Sequence, residues 1–294
     1  MPAASPPPLR CPLCGNRLSA AGASGTAARP ALACSAGHSF DAAKQGYFNL
    51  LVGKGTVFEA DSADMVAARF SFLDAGHYRP LADAVAAAVT ERVRPGEPFT
   101  VLDSGTGTGH YLRAVLDAVS RVTGEYTAVA LDISKFALRR AARLNPEAVS
   151  LAFDVWQPLP LTDGSVDLVT VIFAPRNAAE FARVLRPDGR LLVVTPRAGH
   201  LASMAVRSGM LAIEEGKDTR LTESLAGHFE PESTQDIEIR LRLTPAEMAD
   251  LAFMGPAGHH LDRAALATEL EALGTTPAVE AHFRLTVFRP MRPA

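Results

Sequence analysis

Val101-Leu102-Asp103-Ser104-Gly105-Thr106-Gly107-Thr108-Gly109-His110 reads as a short apolar strand, an acid at its carboxyl end, a glycine-rich turn and a helix start. Glycines alternate at 105, 107 and 109. Without a Cβ, such backbone can lie flat against a ligand, and the first amides of the following helix would face it. Nicotinamide-binding turns space their glycines as G-x-G-x-x-G. Here the spacing is G-x-G-x-G, with Asp103 ahead of the first. Alone, the loop is weak evidence, because a plain strand-to-helix turn is the bland alternative.

The chain after the loop supports the stronger reading. Short apolar runs at 99–103, 128–132, 149–154, 166–173 and 190–195 alternate with helical stretches. That alternation predicts an α/β fold, a parallel sheet with helices on both faces. Ligands of such sheets bind at the carboxyl ends of the strands, and three acids fall there: Asp103, Asp132 and Asp154. Asp132 is placed to accept hydrogen bonds from ribose hydroxyls, and Asp154 to take an adenine amino group. Asp103 either orients the loop or reaches an amino group. The plainer reading of Asp132 and Asp154 is a helix cap or turn acid. The fourth strand runs into Phe173-Ala174-Pro175-Arg176-Asn177. Arg176 and Asn177 can offer hydrogen bonds to a base or phosphate, or Asn177 simply caps the next helix. Strands at 235–243 and 278–288, joined through helices at 245–253 and 262–273, suit an antiparallel closing pair. His259-His260 reads as surface loop.

Upstream, Cys11-Pro12-Leu13-Cys14 is a C-x2-C knuckle, and Cys34 and His38 follow as C-x3-H. Together they form a closed Cys3His set, the donor pattern of structural Zn2+. So short a segment cannot bury a sizeable core, and metal binding would supply its folding energy. The alternative is three free thiols and a surface histidine. Residues 20–28, rich in Ala, Gly and Ser, read as a flexible loop. Residues 1–60 hold five basic side chains against two acids, modest support for RNA contact or an ordinary solvated face. A helical pattern opens at 61–66, with Asp61 or Ser62 as cap, and stops near Gly76. A second starts at Pro80 and ends near Val93, before the Pro95-Gly96 boundary.

The 294 residues are 48% apolar and 21% charged with net charge −3, a soluble globular composition without a global basic field. Of the 29 basic residues, 25 are Arg, a ratio better explained by base composition of the genome than by function. No run is long and apolar enough for a membrane span. Neither does the start resemble a secretion signal, so the expectation is a cytoplasmic protein without a membrane partner. Three cysteines clustered at one end do not form a disulfide framework.

The glycine loop resembles the S-adenosylmethionine (SAM) loop of class I methyltransferases. The order CPLC, C-x3-H-x-F-D-x-A-K-x-G-Y-x-N-L-L, DSADM-x3-R, FLDAGHY-x-P-L and then this loop is similar to the RlmA family of 23S rRNA (guanine-N1)-methyltransferases. It looks nearest to the tylosin-resistance branch of antibiotic producers. The likeness covers nearly the whole chain. It departs in the longer gap between Cys14 and Cys34, and in Ser104, where an aliphatic residue is usual. The family implies a Rossmann-like, mostly parallel seven-stranded sheet with a small N-terminal zinc module. It divides the chain into a zinc-binding RNA-recognition module (1–55), a helical linker contributing to the cofactor site (56–95) and the methyltransferase domain (96–294). It places Tyr78, Gly107, Thr108 and His200 at SAM, beside Asp103, Gly105, Gly109, Asp132 and Asp154. Cys11, Cys14, Cys34 and His38 are the zinc ligands. The implied substrate is a guanine in a hairpin loop of 23S rRNA, and a homodimer is a further expectation. Two other readings stand beside it: a small-molecule methyltransferase, which has no need of a zinc module, and a non-catalytic RNA-binding protein, which has no need of an intact glycine loop.

Overall fold

The structure is a computed structural model, and it describes residues 7–21, 30–53, 55–202, 204, 217–272 and 278–291. Most of the expected loop at 20–28, the end of the helix at 262–273 and most of the stretch after Leu201 lie outside the described residues.

Three short strands, β1 (Ser19–Ala21), β2 (Ala31–Ala33) and β3 (Ser39–Asp41), form a small antiparallel sheet. β4 (Phe48–Asn49) follows, then helices α1 (Ala63–Asp74) and α2 (Arg79–Thr90). The alternating part comprises β5 (Phe99–Ser104), α3 (His110–Val119), β6 (Tyr126–Asp132), α4 (Lys135–Leu144), β7 (Val149–Ala152), β8 (Val166–Ile172), α5 (Ala178–Val184) and β9 (Leu185–Pro196). The long strands β10 (Phe229–Leu241) and β11 (Val279–Pro290) close the sheet, with helices Pro245–Phe253 and Arg263–Ala272 between them.

The large sheet runs β10-β11-β9-β8-β5-β6-β7-β4. All neighbours from β9 to β4 pair parallel, while β11 runs antiparallel to β9 and to β10. The class of fold is the expected one, but the sheet has eight strands rather than seven. The addition is β4, contributed by the N-terminal module and paired with Leu151 and Ala152. Two residues are too few to show strand periodicity. They nonetheless cover what would otherwise be an open sheet edge. β7 stops at Ala152, so Asp154 lies two residues beyond the strand instead of ending it. α2 stops at Thr90, short of Val93, and Ser62 rather than Asp61 caps α1, accepting from the Met65 amide.

Side chains alternate across the sheet as its pleat requires. Val101, Ala128, Ala130, Leu168, Leu192 and Val194 face one core with α2, α3 and the C-terminal helices. Leu102, Val129, Leu131, Val169, Leu191 and Val193 face the other. That second core also contains Leu9, Leu18 and Leu32 of the N-terminal module. Leu9 bridges Leu161, the Arg10 amide donates to Pro160 O, and Asp163 pairs with both Arg10 and Arg183. The module therefore shares its apolar core with the sheet. No helix among the described residues is long and apolar enough to cross a membrane.

Leu161 is fully buried at this seam. Leu161→Ala should lower the unfolding free energy by about 2–5 kcal/mol, read as a lower urea midpoint in a single transition. Separate transitions for module and sheet would contradict a shared core.

Candidate functional site

The glycine loop leaves β5 with Gly105, Gly107 and Gly109 all at positive φ. Two of them are required by close packing. A Cβ on Gly105 would meet the Ala174 Cβ at 2.2 Å, and one on Gly109 would lie 2.5 Å from Asn145 Nδ2 and 2.9 Å from Ala141 Cα. At Gly107 the nearest atoms belong to Arg69, at 3.8 Å or more. There an added Cβ would rest in ordinary van der Waals contact with Arg69, so it is the positive φ rather than packing that favours glycine.

Asp132, at the end of β6, fastens the loop. Its Oδ2 accepts from the Gly107 amide and its Oδ1 from the Ser134 amide, both at 2.8 Å. Burial pushes the Asp132 carboxyl up to about 6, against the pull of the two amides. Ser134 caps α4 and donates to Asp61 O, tying the start of α1 to the same corner. Asp61 in turn pairs with Arg69, whose other guanidinium nitrogen donates to Met254 O. Arg69 had no assigned role in the sequence. Its only signal there was the DSADM-x3-R spacing, which places it on the side of α1 that meets the loop.

Asp103 is buried beneath the loop and accepts from Thr170 Oγ1 at 2.7 Å. Burial raises its carboxyl above the ordinary range, with the Thr170 hydroxyl opposing. Thr108 is also buried, its hydroxyl 2.9 Å from His110 Nδ1, so only its backbone is left for a ligand. Tyr78 and His200, far apart in sequence, meet at Phe283 of β11. The Phe283 ring lies 5.0 Å from Tyr78, 4.7 Å from His200 and 5.3 Å from Phe173. His200 Nδ1 accepts from the His282 amide at 3.1 Å. Desolvation holds the Tyr78 hydroxyl well above its usual range. Phe283 went unremarked in the sequence because it looks like any inward residue of a strand.

At the carboxyl end of β8, Phe173 adopts φ 56° and is 44% exposed. Positive φ is a true outlier for a bulky side chain and clusters at functional sites. Arg176 is half-buried. One guanidinium nitrogen approaches Ala174 O at 3.5 Å, Nε has no partner, and burial lowers its pKa. Asn177 is different: its Nδ2 donates to Val155 O at 2.9 Å and its Oδ1 caps α5 at Glu180. Its side chain is committed inside the protein, as a helix cap requires. Asp154 likewise has both oxygens engaged, by Thr56 Oγ1 at 2.9 Å and by the Trp156 amide at 3.0 Å. These are the bonds of a turn acid, and like the amide bonds to Asp132 they leave carboxylate lone pairs over.

The Cys3His set converges. Donor atoms of Cys11, Cys14, Cys34 and His38 all lie within 4.8 Å of one another. Cys14 and Cys34 Sγ are 3.7 Å apart, and both Cys11 and Cys34 Sγ stand 3.5 Å from His38 Nδ1. A tetrahedron with metal–sulfur arms of about 2.3 Å has edges of about 3.8 Å, so the donors fit Zn2+. Despite desolvation, the amides of Ala36 and His38 bring the Cys34 thiol down to about 7, favouring the thiolate a metal needs. With four protein donors the site is closed and structural.

Comparison with known proteins agrees with this geometry. Residues 9–53 match the family model described as RlmA, N-terminal, and residues 101–189 match a methyltransferase domain. A 23S rRNA (guanine(748)-N(1))-methyltransferase of Streptomyces fradiae is 41% identical over 96% of this chain and 97% of its own length. A Micromonospora griseorubida protein, provisionally described as a 23S rRNA (guanine-N(1)-)-methyltransferase, is 48% identical over 97% of this chain and 98% of its own. Among solved structures, a chain from the Haloferax volcanii complex of the Trm112 methyltransferase activator aligns with TM-score 0.50 and 20% identity. It covers 80% of this chain and all of that one, a likeness of fold.

The raised Asp132 carboxyl makes the cleft sensitive to pH. Above about 6 it is ionised and accepts donors; below, its proton occupies an acceptor position. Affinity for S-adenosylhomocysteine, measured by calorimetry, should fall as pH drops through about 6. A flat profile between about pH 5 and about pH 8 would remove Asp132 from the ligand's hydrogen bonds. On fold, metal donors and near full-length identity together, the chain belongs to the RlmA family of 23S rRNA (guanine-N1)-methyltransferases, enzymes of the class I SAM-dependent fold.

Proposed function

We propose that this chain transfers the methyl group of SAM to N1 of a guanine in a hairpin loop of 23S rRNA, in the cytoplasm. The observation that carries the reading is the union of the two sites. The zinc ribbon adds a strand to the sheet beside β7 and packs into the core that β5 and β6 share. In this reading the ribbon (1–55) meets RNA, the helices of 56–95 complete the cofactor site, and 96–294 performs the transfer.

In the reaction an N1–CH3 bond forms as the S–CH3 bond breaks, leaving S-adenosylhomocysteine. The N1 proton leaves before or during attack. Positioning is the protein's main contribution. On this account Asp132 holds the ribose hydroxyls, the backbone at Gly107 faces the cofactor, and Tyr78 and His200 form a wall on the Phe283 hub. On the same account Arg176, which pairs with no carboxylate among the described residues, stands beside the acceptor guanine. There it would stabilise negative charge gathering on guanine O6 as the proton leaves.

RNA as substrate is further supported by α4. This helix carries Lys135, Arg139, Arg140 and Arg143 and no acid. All four are exposed, and none pairs with a described carboxylate. Such a face suits phosphate contacts. On the module, Arg10 is held by Asp163, so Arg17 and Lys44 are its exposed described cations. Resistance to tylosin-type macrolides follows from the likeness to the tylosin-resistance branch. A homodimer belongs to the same reading and is read by sedimentation.

The test is methyl transfer from labelled SAM to 23S rRNA lacking the modification, mapped by primer extension, since N1 methylation blocks the pairing edge. A stop at one loop guanine is expected. Arg176→Ala should lower kcat/KM for RNA by about 10²-fold or more while leaving affinity for S-adenosylhomocysteine intact. Cofactor binding without methyl transfer to RNA would turn the reading towards a small-molecule substrate.

A further inference from the structure

One buried carboxylate holds two exposed aromatic side chains in place. Asp154 is 4% exposed and accepts from Thr56 Oγ1 and from the Trp156 amide. Thr56 Oγ1 in turn accepts from the Phe58 amide at 3.1 Å. Between Asp154 and Trp156, the Val155 carbonyl is pinned by Asn177 Nδ2. Segments far apart in sequence are thus fastened so that Phe58 (49% exposed) and Trp156 (48% exposed) stand side by side. Their ring centroids are 6.4 Å apart and their planes 38° apart. That is near the outer end of the range of about 4.5–7 Å for aromatic pairs, and about half of each side chain stays exposed.

Large aromatic side chains are usually placed to bury most of their surface. Here local hydrogen bonds hold two of them outward. Beside them a recess of about 290 Å³ opens between Pro12 of the zinc knuckle and Leu50, Phe153, Asp154 and Gln157. Arg176, next to the residue that pins Val155, adds a guanidinium that pairs with no carboxylate among the described residues. Fixed aromatic faces with a guanidinium nearby match the chemistry of an unpaired nucleobase on a phosphate backbone. A lipid or a second copy of this chain would call for continuous aliphatic surface instead.

We propose that Phe58 and Trp156 form a stacking platform for an unpaired base of the RNA substrate, flanking the guanine that is methylated. The proposal rests on the function stated above and adds the residues that grip the loop. Asp154 and Asn177 then act as positioning residues for the platform.

Trp156 is the only tryptophan in the chain, so its emission reports on this place alone. The experiment titrates the zinc-loaded protein with S-adenosylhomocysteine and then with a 23S rRNA hairpin fragment, and measures methylation kinetics in parallel. The expected result is quenching by the RNA but not by S-adenosylhomocysteine alone. Trp156→Ala and Phe58→Ala should each raise the KM for RNA on the order of tenfold, with the KM for SAM unchanged, and Trp156→Phe should recover most of the loss. Unmoved emission and an unchanged KM for RNA in a protein that methylates the fragment would overturn the platform and leave the function standing. Quenching by S-adenosylhomocysteine alone, with a raised KM for SAM, would overturn it in favour of a cofactor contact. A wild-type chain that methylates no RNA would fell the function first and the platform with it.

Discussion

Everything at the strand ends depends on how closely two pieces of backbone approach the glycine loop. Gly105 admits Ala174 at the end of β8, and Gly109 admits Asn145 and Ala141 at the end of α4. Both contacts would be closed by a single methyl group. Once they are made, Asn145 Nδ2 donates to Gly109 O, and the Asp132 carboxylate reaches the Gly107 amide from the neighbouring strand. Three glycines in one short loop therefore do two jobs. Two give packing room, and the middle one offers its amide to Asp132.

From that corner the structure extends along the sheet in both directions. Towards β11, Phe283 gathers Tyr78, His200 and the strained Phe173 into one aromatic wall. Towards β7, the sheet continues into a strand of the zinc ribbon. Burying Leu9, Leu18 and Leu32 together with Leu102 and Leu131 fixes the ribbon relative to the strand ends. A rigid joint of this kind suits an enzyme whose substrate must touch both parts at once.

The elements carried by long patterns were legible in the sequence. Short apolar runs alternating with helical stretches point to the strands of the α/β domain, two late runs to the closing antiparallel pair, and four donors at ligand spacing to the metal set, which the structure brings within 4.8 Å. What escaped was local or long-range. β4 is two residues long and owes its pairing to the edge of β7 rather than to its own pattern. Phe283 gains its position from strand register with β9. Asn177 and Asp154 carry two readings in the sequence, ligand contact or local cap, because their types and places allow both. Only the partners Val155, Glu180, Thr56 and Trp156 show where their hydrogen bonds go. A polar side chain at a strand end has both options, and sequence does not choose between them.

The central claim is that the cleft between the glycine loop and the Phe283 wall is where methyl donor and guanine meet. The most direct measurement is a crystal structure of the chain with S-adenosylhomocysteine and an RNA hairpin bound. The account predicts ribose hydroxyls on Asp132, the sulfur between Gly107 and the Tyr78–His200 wall, and a guanine N1 facing that sulfur with O6 towards Arg176. Cofactor density elsewhere, or a guanine bound on the far side of β8 from Arg176, would contradict it.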